Sequence, residues 1–135
     1  MVDLDSFILT ADDYFRTLGV RYIYCGSISL YLNGINEITE FGDIDIDFID
    51  LQKDEVIKLS KYVVYTYPID ILLPINGIER KYHRIDFYGR EFLISDLEYE
   101  LETKQYLIDN IDKYVYKDKA LQRFDLINKY LNKRN

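Results

Sequence analysis

One cysteine, one histidine, two prolines and no tryptophan leave several chemistries without their raw material. A lone Cys25 cannot close an intrachain disulfide, and it reads as a small apolar residue on a strand. A reducing, cytoplasmic setting fits that usage. His83 has no Cys or neighbouring His to complete a zinc set, so an exposed histidine in a basic run is the expectation. No apolar run approaches the roughly 20 residues of a membrane span. The start, Met-Val-Asp-Leu-Asp, is acidic where a signal region is basic. Positive charge is also scarce. The net charge of −7 argues against nonspecific nucleic-acid binding, which draws on Lys and Arg.

What remains is a globular composition, 48% hydrophobic and 30% charged, in 135 residues. That length suits a single domain, residues 1–135, with one core. The 14 tyrosines read as core and strand residues with a wet hydroxyl. Strand and helix patterns interleave, which implies an α/β or α+β domain with a small mixed β-sheet flanked by helices.

Thr10-Ala-Asp-Asp13 resembles a capping box and predicts a helix over 10–19. Residues 21–25 read as a buried strand, 26–32 as a helix stopped by Asn33-Gly34, and 43–49 as a strand. A short helix is expected over 54–61. Strands are expected over 62–67 and 69–73, interrupted by Pro68. Residues 85–94 pattern as a hairpin. Ser95-Asp-Leu-Glu98 predicts a capped helix with Leu97, Leu101, Ile108 and Ile111 on one stripe. A last helix over 118–131 carries Ala120, Phe124, Ile127 and Leu131.

Asp43-Ile44-Asp45 carries the chemistry. On a strand, Asp43, Asp45 and Asp47 share one face while Ile44, Ile46 and Phe48 share the other. Carboxylates that close repel unless a cation lies between them. Hard oxygen donors suit Mg²⁺, which binds one or two carboxylates together with substrate phosphates. A half-exposed strand with a polar face explains the same pattern. A calcium loop does not, because it needs Gly where Phe48 stands and Glu where Asp54 stands. Upstream, Gly26-Ser27 turns a strand into a helix and offers backbone N–H groups and a hydroxyl, as a phosphate tail requires.

Gly26-Ser27 followed by Gly42-Asp43-Ile44-Asp45-Ile46 resembles the signature of the nucleotidyltransferase superfamily, the DNA polymerase beta-like fold. The short chain is similar to minimal members: lincosamide-type antibiotic-modifying enzymes and enzymes of toxin–antitoxin and abortive-infection systems. The resemblance implies Mg²⁺ or Mn²⁺ on Asp43 and Asp45, with a nucleoside triphosphate contacting Gly26 and Ser27. It implies a third carboxylate on a neighbouring strand, which completes the metal set and accepts the acceptor's proton. Asp70 is the first choice, as the one polar side chain in an apolar run; Asp86, on an alternating strand, is the competitor.

The resemblance also points Lys104, in the middle of the apolar stripe, at the nucleotide; snorkelling to the helix edge explains it equally well. The implied reaction moves a nucleoside monophosphate from the triphosphate to a hydroxyl on a small molecule such as an amino sugar, a protein or a tRNA, by a monomer or a homodimer. Two departures stand out. The interval from Ser27 to Asp43 is long, and it contains no Lys or Arg. They keep open a second class, a non-catalytic binding protein on the same fold, such as an inhibitor or toxin–antitoxin component. Arg80, Lys81 and Arg84 form a basic run that reads either as a phosphate or acceptor contact or as a solvated helix face.

Overall fold

The computed structural model describes residues 3–110 and 117–134. In chain order the elements are α1 Leu4–Arg16, β1 Ile23–Cys25, α2 Gly26–Leu32, β2 Ile44–Asp47, α3 Lys53–Ser60, β3 Ile69–Ile71, β4 Tyr82–Phe87, β5 Arg90–Ser95, α4 Leu97–Asn110 and α5 Lys117–Arg134. The strands form one mixed sheet in the order β3-β2-β1-β5-β4. The β1–β2 and β4–β5 pairs are antiparallel, and the β1–β5 and β2–β3 pairs are parallel. This is the α+β architecture implied by the interleaved patterns.

Burial follows the sheet order. Ile23, Tyr24 and Cys25 of the central β1 are all buried, so β1 is a continuous apolar run rather than an alternating one. One strand out, β2 alternates: Ile44 and Ile46 are fully buried, and Asp45 and Asp47 take the opposite face. One apolar cluster joins Ile8 and Phe15 of α1, Ile28 and Leu30 of α2, the inner strands and Ile127 of α5. The β4–β5 hairpin turns through Tyr88 and Gly89, both at positive φ, and the Gly89 N–H donates to the Asp86 carboxylate.

Four local expectations are corrected. Helix α1 starts six residues before Thr10, at Leu4. Asp3 caps it, accepting from the Asp5 N–H and the Ser6 hydroxyl, and the apolar period already runs through Phe7 and Ile8. Residues 62–67 form no strand. Their rings pack on α1 instead, Tyr65 against Tyr14 at 5.1 Å and Tyr67 against Phe7 at 4.7 Å, and the Val64 N–H donates to the Tyr14 hydroxyl. Pairing with β2 begins only at the Pro68 carbonyl. Ser95 does not cap α4; it ends β5 with its hydroxyl turned into the protein, and the Asp96 carbonyl accepts the first helical bond, from Glu100. The basic run is not helical, since Tyr82 onward is β4. On α4 the stripe holds through Leu97, which is buried, and Leu101; Ile111 lies outside the described residues.

Candidate functional site

Strand register assembles the site. Cys25 of β1 stands opposite Asp45 of β2, and Asp45 stands opposite Asp70 of β3. The chain leaves β1 at Cys25 and enters α2 through Gly26, at φ +61. A Cβ on Gly26 would lie 2.0 Å from Asp45 Oδ2, so glycine is required there by space as well as by conformation. The Gly-Ser turn and the Asp pair, separate in sequence, are thus in contact.

One carboxylate oxygen from each of Asp43, Asp45 and Asp70 lies within 4.8 Å of the other two. Asp43 and Asp45 are half-buried, and Asp70 is exposed. Burial pushes the Asp45 carboxyl up to about 7, helped by the charges of Asp43, Asp70 and Glu100, with Lys104 opposing. Partial desolvation of its carboxyl at the cavity, and then the Asp43 charge, also raise Asp70, although the residue as a whole stays open to solvent. Three hard oxygen donors whose repulsion is this poorly compensated fit a divalent cation of the Mg²⁺ or Mn²⁺ kind.

Asp70 reaches the group for a reason other than its apolar surroundings. Strand β3 is the sheet edge, so Asp70 is open to solvent and needs no buried partner. Its competitor Asp86 lies beside the β4–β5 turn, outside the acidic group. Asp47 continues the same face of β2 but is 3% exposed, with both oxygens held by Arg80 at 2.7 and 2.9 Å. That bidentate pair closes the inner end of the strand.

Helix α4 adds a residue that sequence reasoning passed over. Glu100 is 3% exposed and accepts from the Gly26 N–H at 3.2 Å, the Ser95 hydroxyl at 2.8 Å and the Lys104 ammonium at 2.9 Å. Burial alone would raise this carboxyl, but the Lys104 charge and the three hydrogen bonds outweigh it and hold the group below the usual range. Glu100 therefore ties the Gly26 turn, the end of β5 and Lys104 into one unit. Lys104 does not snorkel: its side chain is 14% exposed and pairs one helical turn away. A lysine on an apolar stripe with Glu four positions before it was the available signal. The Gly26 N–H, expected to be free for phosphate, is occupied by Glu100. The Ser27 hydroxyl has no hydrogen-bond partner among the described residues.

These groups line one cavity of about 620 Å³, with Gly26, Ser27, the three aspartates and Lys104 on its polar side and Leu72, Leu73 and Ile75 on an apolar wall. The size suits a nucleotide-sized ligand. Lys119 and Arg123 of α5 line it as well. Neither was singled out from sequence, where they look like the polar face of an amphipathic helix. The basic run lies elsewhere and is neutralised: Arg80 pairs with Asp47, Lys81 with Glu102 and Arg84 with Glu91. His83 faces Asp96.

No protein-family model matches the chain, and no curated protein matches it at a significant level. Among solved structures, the chain is similar to an antigenic nucleotidyltransferase-like protein from Paracoccidioides brasiliensis, at 10% identity and a TM-score of 0.61, over 94% of this chain and 76% of that one. At that identity the likeness is one of fold, and the fold is nucleotidyltransferase-like.

Proposed function

We propose that the protein is a Mg²⁺- or Mn²⁺-dependent nucleotidyltransferase that moves a nucleoside monophosphate from a nucleoside triphosphate to a hydroxyl. The single observation behind this reading is the set of three carboxylates within 4.8 Å, in contact with a Gly-Ser turn inside one cavity. Asp43 and Asp45, with Asp70 beside them, would hold the metal ions. When bound, those ions neutralise the phosphates and the charge that builds up during in-line displacement. The chain's own residues do the rest. Ser27 offers its hydroxyl to the phosphate tail. Glu100 fixes the Gly26 turn and Lys104 by its three hydrogen bonds. Asp70, exposed at the sheet edge and with a raised affinity for protons, accepts the proton of the incoming hydroxyl. The acceptor oxygen bonds to the α-phosphorus, the α–β bridge breaks, and pyrophosphate leaves.

The acceptor is a small molecule or a protein hydroxyl ahead of tRNA. Net charge is −7, and each member of the basic run already has an acidic partner. On this reading the protein would work as the minimal lincosamide-type and toxin–antitoxin enzymes do, which its Gly26-Ser27 and Asp43-Ile44-Asp45 pattern resembles. One observation favours a non-catalytic binding protein instead: Glu100 occupies the Gly26 N–H that would otherwise face a phosphate.

The two readings separate in one assay. The full chain is incubated with labelled nucleoside triphosphate, Mg²⁺ and amino sugar, protein or tRNA acceptors. The expected result is pyrophosphate release with monophosphate labelling, abolished in the Asp43→Ala/Asp45→Ala variant. No labelling of any acceptor, with macromolecular partner binding that survives the double substitution, would select the binding protein.

A further inference from the structure

We propose that helix α5 carries the phosphate-tail clamp of the site, with Arg123 and Lys119 binding the β- and γ-phosphates of the nucleotide. This rests on the nucleotidyltransferase reading and assigns it residues that neither the sequence signature nor the likeness of fold supplies.

A triphosphate brings about four negative charges to a site already rich in carboxylates, so cations beyond the metal ions are needed. The stretch between Ser27 and Asp43, which leads from the Gly-Ser turn to the Asp pair, contains no Lys or Arg. Lys104 supplies no net charge, because its ammonium is hydrogen-bonded to the buried Glu100 carboxylate. Among the described residues, the cations that remain on the cavity wall come from α5. Lys119 and Arg123 are one helical turn apart and so share a face. The Lys119 ammonium lies 3.5 Å from the position a Cβ on Gly42 would take, next to Asp43.

Arg123 is the more informative of the two. The other arginines whose side chains are described, Arg16, Arg21, Arg80, Arg84 and Arg90, each pair with a carboxylate within 4.0 Å. Arg123 makes no such pair among the described residues, although it is half-buried in a chain with 24 acidic side chains. Burial lowers its pKa, and the charge of Glu40 only partly offsets that. A half-buried guanidinium left without a carboxylate is costly unless an anion completes it, and its planar fork matches phosphate oxygens. The anion that fits a cavity shared with Ser27 and the acidic triad is the distal end of a polyphosphate.

The clamp makes affinity depend on the number of phosphates, and that is what the test reads. The four ribonucleoside triphosphates and the matching monophosphates are titrated with Mg²⁺ into the full chain and into Arg123→Gln, Lys119→Gln, their double variant and Arg123→Lys. Melting of the ligand-free proteins is recorded alongside. Losing charged hydrogen bonds should weaken triphosphate binding roughly 10- to 100-fold in Arg123→Gln, and further in the double variant. Monophosphate binding should be unchanged, and Arg123→Lys should fall between wild type and Arg123→Gln. Equal triphosphate affinity in wild type and double variant would overturn the clamp and leave the nucleotidyltransferase reading standing. So would equal weakening of triphosphate and monophosphate. A wild-type protein that binds none of the triphosphates would overturn both.

Discussion

Replacing Asp45 with Asn should make the ligand-free protein more stable at alkaline pH, against the usual cost of altering a half-buried polar site. Asp45 titrates at about 7 in the folded protein against an ordinary 3.8. The folded state therefore binds a proton more tightly than the unfolded chain does. Stability associated with this group is fully present below pH 3.8 and drains away as pH rises through 7. Integrated across that window, the loss by pH 8 has an upper bound of about 4 kcal/mol. Solvent on the open side of the cavity screens part of it, so a difference of about 2–3 kcal/mol is expected. Asn mimics the protonated carboxyl and removes the titration. Urea denaturation of both proteins, followed by circular dichroism at pH 4 and pH 8, measures it. The variant should match wild type at pH 4 and exceed it at pH 8. Saturating Mg²⁺ should then close the gap by stabilising wild type alone, by about 2.7 kcal/mol at a hundredfold excess over Kd. A stability difference that is the same at both pH values would refute the electrostatic account of the acidic group.

Three further outcomes follow from the packing. Gly26→Ala drives a Cβ toward Asp45 Oδ2 at positive φ and should cost about 1–3 kcal/mol in urea denaturation; adding Asp45→Ala should return part of that loss, and strict additivity would argue against the contact. Lys104→Met strands the buried Glu100 carboxylate and should cost about 3–5 kcal/mol, with Glu100→Gln in the same chain restoring much of it; a neutral Lys104→Met would return Lys104 to the helix edge. Arg80→Met should cost a similar amount, about 3–5 kcal/mol, by stranding Asp47, and melting curves that leave Arg80→Met indistinguishable from wild type would contradict the bidentate pair.

Where a single residue type meets a single local demand, the sequence was legible. Gly26-Ser27 marks a strand-to-helix turn because only glycine tolerates both the positive φ and the neighbouring carboxylate. Asp45 reads as a strand residue because Ile44 and Ile46 flank it and are fully buried, whereas Asp43, expected on the same strand, lies one residue before β2. Capping patterns misled where a tertiary partner outbid the local bond. Ser95 gives its hydroxyl to Glu100 rather than to a helix N-terminus, and Thr10 lies inside a helix that Asp3 already caps. Tyrosine-rich 62–67 has the composition of a strand, but its rings find a better surface on α1 than its backbone finds at the sheet edge. The apolar run around Asp70 does not bury it, because β3 is the sheet edge; register with Asp45 is what brings it to the group. Glu100, Lys119 and Arg123 escaped notice because their significance lies in what they face across the fold, which helical periodicity does not encode.

The most direct measurement is a structure of the protein soaked with Mg²⁺ and a nucleoside triphosphate analogue whose α–β bridge is a methylene group. Metal density bonded to Asp43 and Asp45 is expected, with the phosphate tail against Ser27 and the face of α5 that carries Lys119 and Arg123. A nucleotide bound away from the acidic group, or an acidic cavity that takes up neither metal nor nucleotide at saturating concentrations, would contradict it.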